Sequence, residues 1–235
     1  MPNTDYLRYL EELRQIPTLS GFENAGQKEV QQLLAPLFDE SRPAGVSGLL
    51  FTKKCSRENA PVLLIDAHLD EIGLIVTDLK DDGTLTVSSL GGMDARTYTA
   101  SSYTIHGKEN MPALSLKKPY CLGGPEARKL PKNGEFWLFT GFTKEELIQK
   151  GVAVGTPVSM ERSTESLSEE QLCGAYMDDK SCAVAALIAL EELKGKDLSC
   201  DICLLLSGQE ESYGAGFRTG VFVASPYVIL LMYVS

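Results

Sequence analysis

Apolar residues recur at helical spacing at the start of the chain. Leu7, Leu10, Leu13 and Ile16 predict an amphipathic helix from about Thr4 to Gln15, ended by Pro17. IPTLSGFE then reads as a turn, and Glu23 to Leu37 as a second amphipathic helix. Gly45 to Thr52 and Val62 to Ala67 read as strands, the latter an almost unbroken apolar run suited to a sheet covered on both faces. From about Ile72 to Met160 the texture changes to short alternating runs such as GTLTVSSL, SSYTIHG, EFWLF and TPVSM, separated by Gly, Pro and Asn-rich turns. That pattern predicts β structure with one helical insert, Lys144 to Lys150. Ser163 to Gln171 is polar and reads as a connector. Helical and apolar-run patterns then return: helix Ser181 to Leu193 ending at Gly195, strand Asp201 to Leu206, a helical Ala215 to Val223, and strand Tyr227 to Val234. The expected fold is α/β, a sheet flanked by helices over residues 1–71 and 161–235, interrupted by a small β domain over 72–160.

Composition narrows the function classes. The formal charge of −10 argues against a general binder of nucleic acid or anionic membranes. No apolar run approaches the roughly 18 residues a membrane-spanning helix needs, and MPNTDYLRYLEELRQIP has no signal-peptide core, so a cytoplasmic protein is expected. Cys55, Cys121, Cys173, Cys182, Cys200 and Cys203 are scattered, as free thiols in a reducing compartment would be. Cys200 and Cys203 form a C-x-x-C, but it lies inside the apolar run CDICLLL, with no second pair for zinc and no helix following it. The pair reads as core.

The candidate chemistry falls at element ends, where open α/β sheets place their ligands. His68 and Asp70 follow the strand ending near Ala67, Glu210 and Glu211 follow CLLLSGQ, and Asp178 and Asp179 precede a helix. One imidazole with several carboxylates is a donor set that suits zinc, cobalt or manganese. A metal-bound imidazole commonly hands its other N–H to a carboxylate, which makes Asp70 a candidate for supporting His68. Within Glu210-Glu211 one carboxylate can bind metal while the other handles a proton. Taken singly, each cluster has a plainer reading. H-x-D can be a polar pair, Glu-Glu solvated charge, and Asp178-Asp179 helix-capping acids contributing about 0.3–1 kcal/mol each. What lifts the set is its shared edge of one predicted sheet. His106, in the β region, reads as structural.

Five ordered blocks carry a resemblance that runs almost from end to end: AHLDEIGLIV, LGGMDARTYTASSYTIHGK, FTGFTKEELIQKGVAVGTPV, GAYMDDKSCAVAALIALEEL and LLSGQEESYGAGFRTG. With the opening LRQIPTLSGFE, these resemble the M42 metallopeptidases, the glutamyl and tetrahedral aminopeptidase group also labelled cellulase M. The resemblance implies an α/β peptidase domain with an inserted β-barrel-like domain, two divalent metal ions (zinc, cobalt or manganese), peptide substrates cleaved at the N-terminus, and homo-oligomers built from dimers, dodecameric in the family. Residue by residue it implies that His68 and Glu211 each hold one metal, that Asp178 is shared by both, that Glu210 is the general base, and that Asp70 orients the site.

The resemblance also marks departures. Tyr233 stands where the family has a metal-binding aspartate, and the family supplies a further histidine from a C-terminal segment beyond the position of Ser235. His68, Asp178 and Glu211 are thus three of five expected ligands. A neutral phenol with a pKa of about 10 replaces a carboxylate poorly. The expectation is a metal-dependent aminopeptidase that hydrolyses N-terminal residues from peptides through a water activated by two metals, shortened and with reduced metal occupancy; the alternative is an impaired or inactive family member that retains the fold and an assembly role.

Overall fold

A computed structural model describes residues 4–115, 129, 132, 136–168, 171–224 and 228–232. The chain divides into two compact units, residues 1–71 with 162–235 and residues 72–161.

The first unit is built on a five-stranded sheet. Helix α1 (Thr4–Gln15) and helix α2 (Gln27–Leu34) precede strands β1 (Glu40–Ala44), β2 (Gly48–Lys53) and β3 (Val62–His68). After the second unit the chain continues through the hairpin β10 (Thr164–Ser168) and β11 (Gln171–Gly174), helix α5 (Lys180–Glu192), β12 (Asp201–Ser207), helix α6 (Ala215–Ala224) and β13 (Val228–Met232). The sheet order is β1-β2-β12-β3-β13, with β3 parallel to both of its neighbours, β12 and β13. Ser207 pairs with His68 in this register, so the C-terminal ends of β3 and β12 lie side by side.

Both faces of the sheet are covered, which explains the unbroken apolar run of β3. On one face Leu10, Leu13 and Ile16 of the N-terminal segment pack with Val30, Leu34, Val184, Leu187 and Leu204. On the other, Phe217 and Val221 of α6 cover Leu50, Leu64, Cys203 and Leu205. Cys203 is therefore core, and the five cysteines among the described residues are free thiols; Cys121 lies outside the described residues.

Glycine lets α6 approach the sheet. A Cβ on Gly216 would stand 2.1 Å from the carbonyl oxygen of Gly208, and one on Gly220 would stand 2.9 Å from the Leu205 side chain. Gly208 is backbone and cannot rotate aside. Gly216→Ala is expected to destabilise the chain by about 1–3 kcal/mol in urea unfolding; an unchanged midpoint would show that α6 can slide away without cost.

The second unit is a closed barrel, β4-β5-β8-β7-β6-β9, from β4 (Gly73–Leu79), β5 (Leu85–Leu90), β6 (Ser102–His106), β7 (Asn110–Ser115), β8 (Phe136–Phe139) and β9 (Pro157–Met160). Two short helices, α3 (Ala95–Tyr98) and α4 (Lys144–Gln149), belong to it. Alternation fills the interior with Leu74, Val76, Leu85, Val87, Ile105, Leu138 and Val158. His106 bonds Ser159 Oγ at 2.9 Å and Asn110 Oδ1 at 3.1 Å, stitching β6 to its neighbours.

Three local expectations change. The segment Glu23 to Leu37 is not one helix. It is a 3-10 turn (Glu23–Ala25), α2, and a second 3-10 turn (Ala35–Leu37). Gly26 packs where a Cβ would meet Ile16 at 2.5 Å, and Pro36 lacks the N–H that a continuing helix needs. The polar connector after residue 162 is instead the hairpin β10-β11, whose strands are largely exposed and carry no apolar alternation to read. A strand, β1, precedes the one expected from Gly45, with the turn between them at Gly45.

Candidate metal centre

His68, the last residue of β3, is 3% exposed, so its ring orientation is set by the surrounding structure. Its Nδ1 lies 2.9 Å from the main-chain oxygen of Asp70, and its Nε2 lies 3.0 Å from Asp178 Oδ1 and 3.8 Å from Glu210 Oε2. The nearer partner of Nδ1 is thus the Asp70 carbonyl, while the Asp70 carboxylate stands 3.7 Å away. An Nδ1–H donated to that carbonyl leaves Nε2 as the donor atom for a cation.

The Asp70 carboxylate has another task. Its Oδ1 accepts the Glu210 N–H at 2.9 Å and its Oδ2 the Glu211 N–H at 3.1 Å, so it holds the turn that carries both glutamates. Gln209 enters that turn in the left-handed region, at φ 56°. Its N–H donates to Glu23 Oε1 at 2.9 Å, and Ser212 meets Ser20 at 2.7 Å. The loop after Pro17 is thereby a wall of the site, which its turn-like sequence does not announce.

Asp178 and Asp179 precede α5. Asp179 occupies the N-cap position, but its side chain makes no capping hydrogen bond, and its Oδ2 is buried without a hydrogen-bond partner among the described residues. Asp66, two residues before His68 on β3, is 1% exposed; Ser207 Oγ donates to its Oδ2 at 3.2 Å, and its Oδ1 has no partner among the described residues. The capping that the sequence offers Asp179 is not made, and Asp66 is not singled out by the sequence, although the alternation of β3 sets Asp66 and His68 on one side.

One nitrogen of His68 and one carboxylate oxygen each from Asp178 and Glu211 lie within 4.8 Å of one another. The donor types fit zinc, cobalt or manganese. The surroundings fit too, because Asp70, Glu210 and Asp178, with Asp66, Asp179 and Glu211, set acids around His68. Tyr233 lies outside the described residues.

Crowding of acids shows in their protonation. Burial, with Asp179 and Glu210 nearby, pushes Asp66 up to about 7. Asp70, Asp179 and Glu211 are also raised, chiefly by burial. Burial opposes the charged form of His68, but Asp70, Glu210 and Asp178 outweigh it and raise its pKa. Raised groups bind protons more tightly in the folded chain than in the unfolded one. Metal-free protein should therefore lose stability as pH rises from about 5 to 7.5, by on the order of 2 kcal/mol from Asp66 alone. Thermal unfolding in chelator at the two pH values checks this; a higher midpoint at pH 7.5 would contradict it.

Comparison with known proteins gives the family and the fold. The family model for M42 glutamyl aminopeptidase matches residues 48–231. A lysyl aminopeptidase of Pyrococcus furiosus is 26% identical over 229 residues, covering 95% of this chain and 64% of that protein. Among solved structures, an aminopeptidase of the archaeon Desulfurococcus kamchatkensis superposes with a TM-score of 0.87 at 27% identity, covering 98% of this chain and 63% of that one. The Pyrococcus horikoshii TET1 peptidase, which can assemble into a tetrahedron or a large octahedral shell, shares the fold with a TM-score of 0.78 at 21% identity, covering 94% of this chain and 66% of that one. The chain spans between 41% and 64% of the length of the first curated relatives it matches. Among the described residues no helix is long and apolar enough to cross a membrane.

Proposed function

The chain belongs to the M42 glutamyl aminopeptidase family, and from that premise we propose that it removes N-terminal residues from peptides by metal-assisted hydrolysis. The convergence of His68, Asp178 and Glu211 donor atoms within 4.8 Å is the observation that carries this reading. These three residues would hold a pair of divalent cations, zinc, cobalt or manganese, with Asp178 shared between them. When bound, such cations polarise the scissile carbonyl and make water nucleophilic near neutral pH.

The remaining work falls to the chain. Glu210, whose Oε2 lies 3.8 Å from His68 Nε2, accepts the proton of the attacking water and returns it to the leaving amine. Asp70 keeps Glu210 and Glu211 in register through their main-chain N–H groups. The Asp70 carbonyl fixes the tautomer of His68. Assembly with further copies of the chain is part of the same reading, and so is a cytoplasmic location.

The test is hydrolysis by the full chain, stripped of metal and reloaded with zinc, cobalt or manganese, of a panel of unblocked and N-acylated aminoacyl anilides. Metal-dependent cleavage of unblocked substrates alone is expected. Metal uptake without cleavage of any of them would assign the chain a non-catalytic role, and preference for acylated substrates would assign a different amide hydrolase.

A further inference from the structure

Behind the ligand face lies an ion cluster that this chemistry does not use. Glu71, with no exposed side-chain surface, accepts Lys180 Nζ at 2.6 Å and Arg162 Nη1 at 3.1 Å on one oxygen. Its other oxygen takes the second Arg162 nitrogen and the Thr18 N–H, the latter at 3.2 Å. Lys180, 1% exposed, spends a second hydrogen bond on the Ile16 carbonyl at 3.0 Å. Tyr176 lies beside both cations, its ring centre 4.3 Å from the Arg162 guanidinium and 5.8 Å from Lys180 Nζ. Burial opposes ionisation of Glu71, but Lys180 and Arg162 outweigh it and hold its carboxyl below the ordinary value.

The placement is informative. Glu71 follows Asp70 directly and stands three residues after His68, while Lys180 follows Asp178 by two. A buried ion pair is a poor source of stability compared with packed apolar side chains. Lys180 is also the first residue of α5, where the helix dipole disfavours a cation. The pair therefore has a geometric use rather than an energetic one. The Asp178 side chain is 70% exposed, so its location depends on the main chain of its turn.

We propose that Glu71 and Lys180 are positioning residues: their ion pair, completed by Arg162, ties the end of β3 to the start of α5 and so sets His68 Nε2 against Asp178 Oδ1. Charged, forked hydrogen bonds fix both distance and direction, whereas an apolar pair at the same place could pack equally well with the two elements shifted. Loss of the tie leaves a folded chain whose imidazole and carboxylate no longer meet. This inference rests on the metal reading for the purpose of the geometry, not for the geometry itself.

The experiment replaces the pair by neutral side chains, Glu71→Gln/Lys180→Met, in the full chain. Unfolding midpoint, manganese and zinc affinity, and nitrogen-15 imidazole spectra are then compared with the parent. The chain has two histidines, so His106, in the other unit, is an internal control. The expected result is a midpoint within about 5 °C of the parent, metal affinity weaker by about 10–100-fold, and shifted His68 signals with His106 unmoved. Unchanged affinity and unchanged His68 signals would overturn the proposal and leave the pair a structural one. Should the parent itself bind no metal, the metal reading fails, and the His68 signals of the metal-free proteins still decide the tie. If the double variant does not fold, Arg162→Met against Arg162→Lys asks the same question at the outer half of the cluster. Lys is expected to keep the His68 signals and Met to move them; equal spectra would overturn the proposal.

Discussion

Glu210→Gln is expected to lower turnover of unblocked peptides by about 10²–10⁴-fold while divalent metal still binds with the affinity of the parent. The amide has the shape of the carboxylate but cannot accept a proton from water near neutral pH. The turn itself should survive, because Glu210 is held through its main-chain N–H on Asp70 Oδ1, a bond the substitution leaves alone. Glu210 is also outside the trio whose donor atoms converge. His68→Ala and Glu211→Gln are the contrasting variants, and each should lose metal affinity first and activity as a consequence. Calorimetry beside steady-state kinetics separates the two patterns. A Glu210→Gln protein that fails to take up metal would make Glu210 a ligand and leave the general base unassigned.

Arg14→Met is expected to lower stability by about 2–6 kcal/mol in urea unfolding. Arg14 is completely buried. Its guanidinium donates to the Ala175 carbonyl at 2.6 Å, the Ser163 carbonyl at 3.0 Å, Thr164 Oγ1 at 2.5 Å and Glu11 at 3.0 Å, joining α1 to the β10-β11 hairpin. Gly174 makes room for it, since a Cβ there would stand 2.3 Å from Nη2. Methionine fills much of the volume but leaves two carbonyls unpaired, and each buried orphan costs about 1–3 kcal/mol. A loss below about 1 kcal/mol would mean that water or the hairpin itself replaces those bonds.

Arg14 also marks where pattern reading stops. In LRYLEELRQI it falls on the apolar stripe, four residues after Leu10 and seven after Leu7, unlike the exposed Arg8, but the spacing does not say what would pair a cation buried there. Apart from Glu11, its partners lie 149 to 161 residues away, and no local periodicity reports them. Glu71 and Lys180 are similar: each sits beside a residue with an evident chemical reading, and each looks like an ordinary charge. The hairpin after residue 162 was illegible because its strands have little apolar face to alternate. Gly26 and Pro36, which break the second helical stretch, stand in plain sight in the sequence, but the close packing at Gly26 does not.

Periodicity and run length by themselves determined the α/β class with its helix-flanked sheet and its interrupting β region, because the spacing of apolar residues records which face of each element is buried; closure of that region into a barrel they did not determine. They also set one histidine and its candidate acids at the ends of elements. Only the tertiary structure decided which atoms meet: that Asp178 and Glu211 reach His68, that Asp70 holds a turn through two N–H groups while its carbonyl holds the ring, and that Glu71 and Lys180 lie buried together. Apart from the Asp70 carbonyl on His68, two residues away, such contacts join elements more than a hundred residues apart, and a charge carries no local mark of which partner it meets.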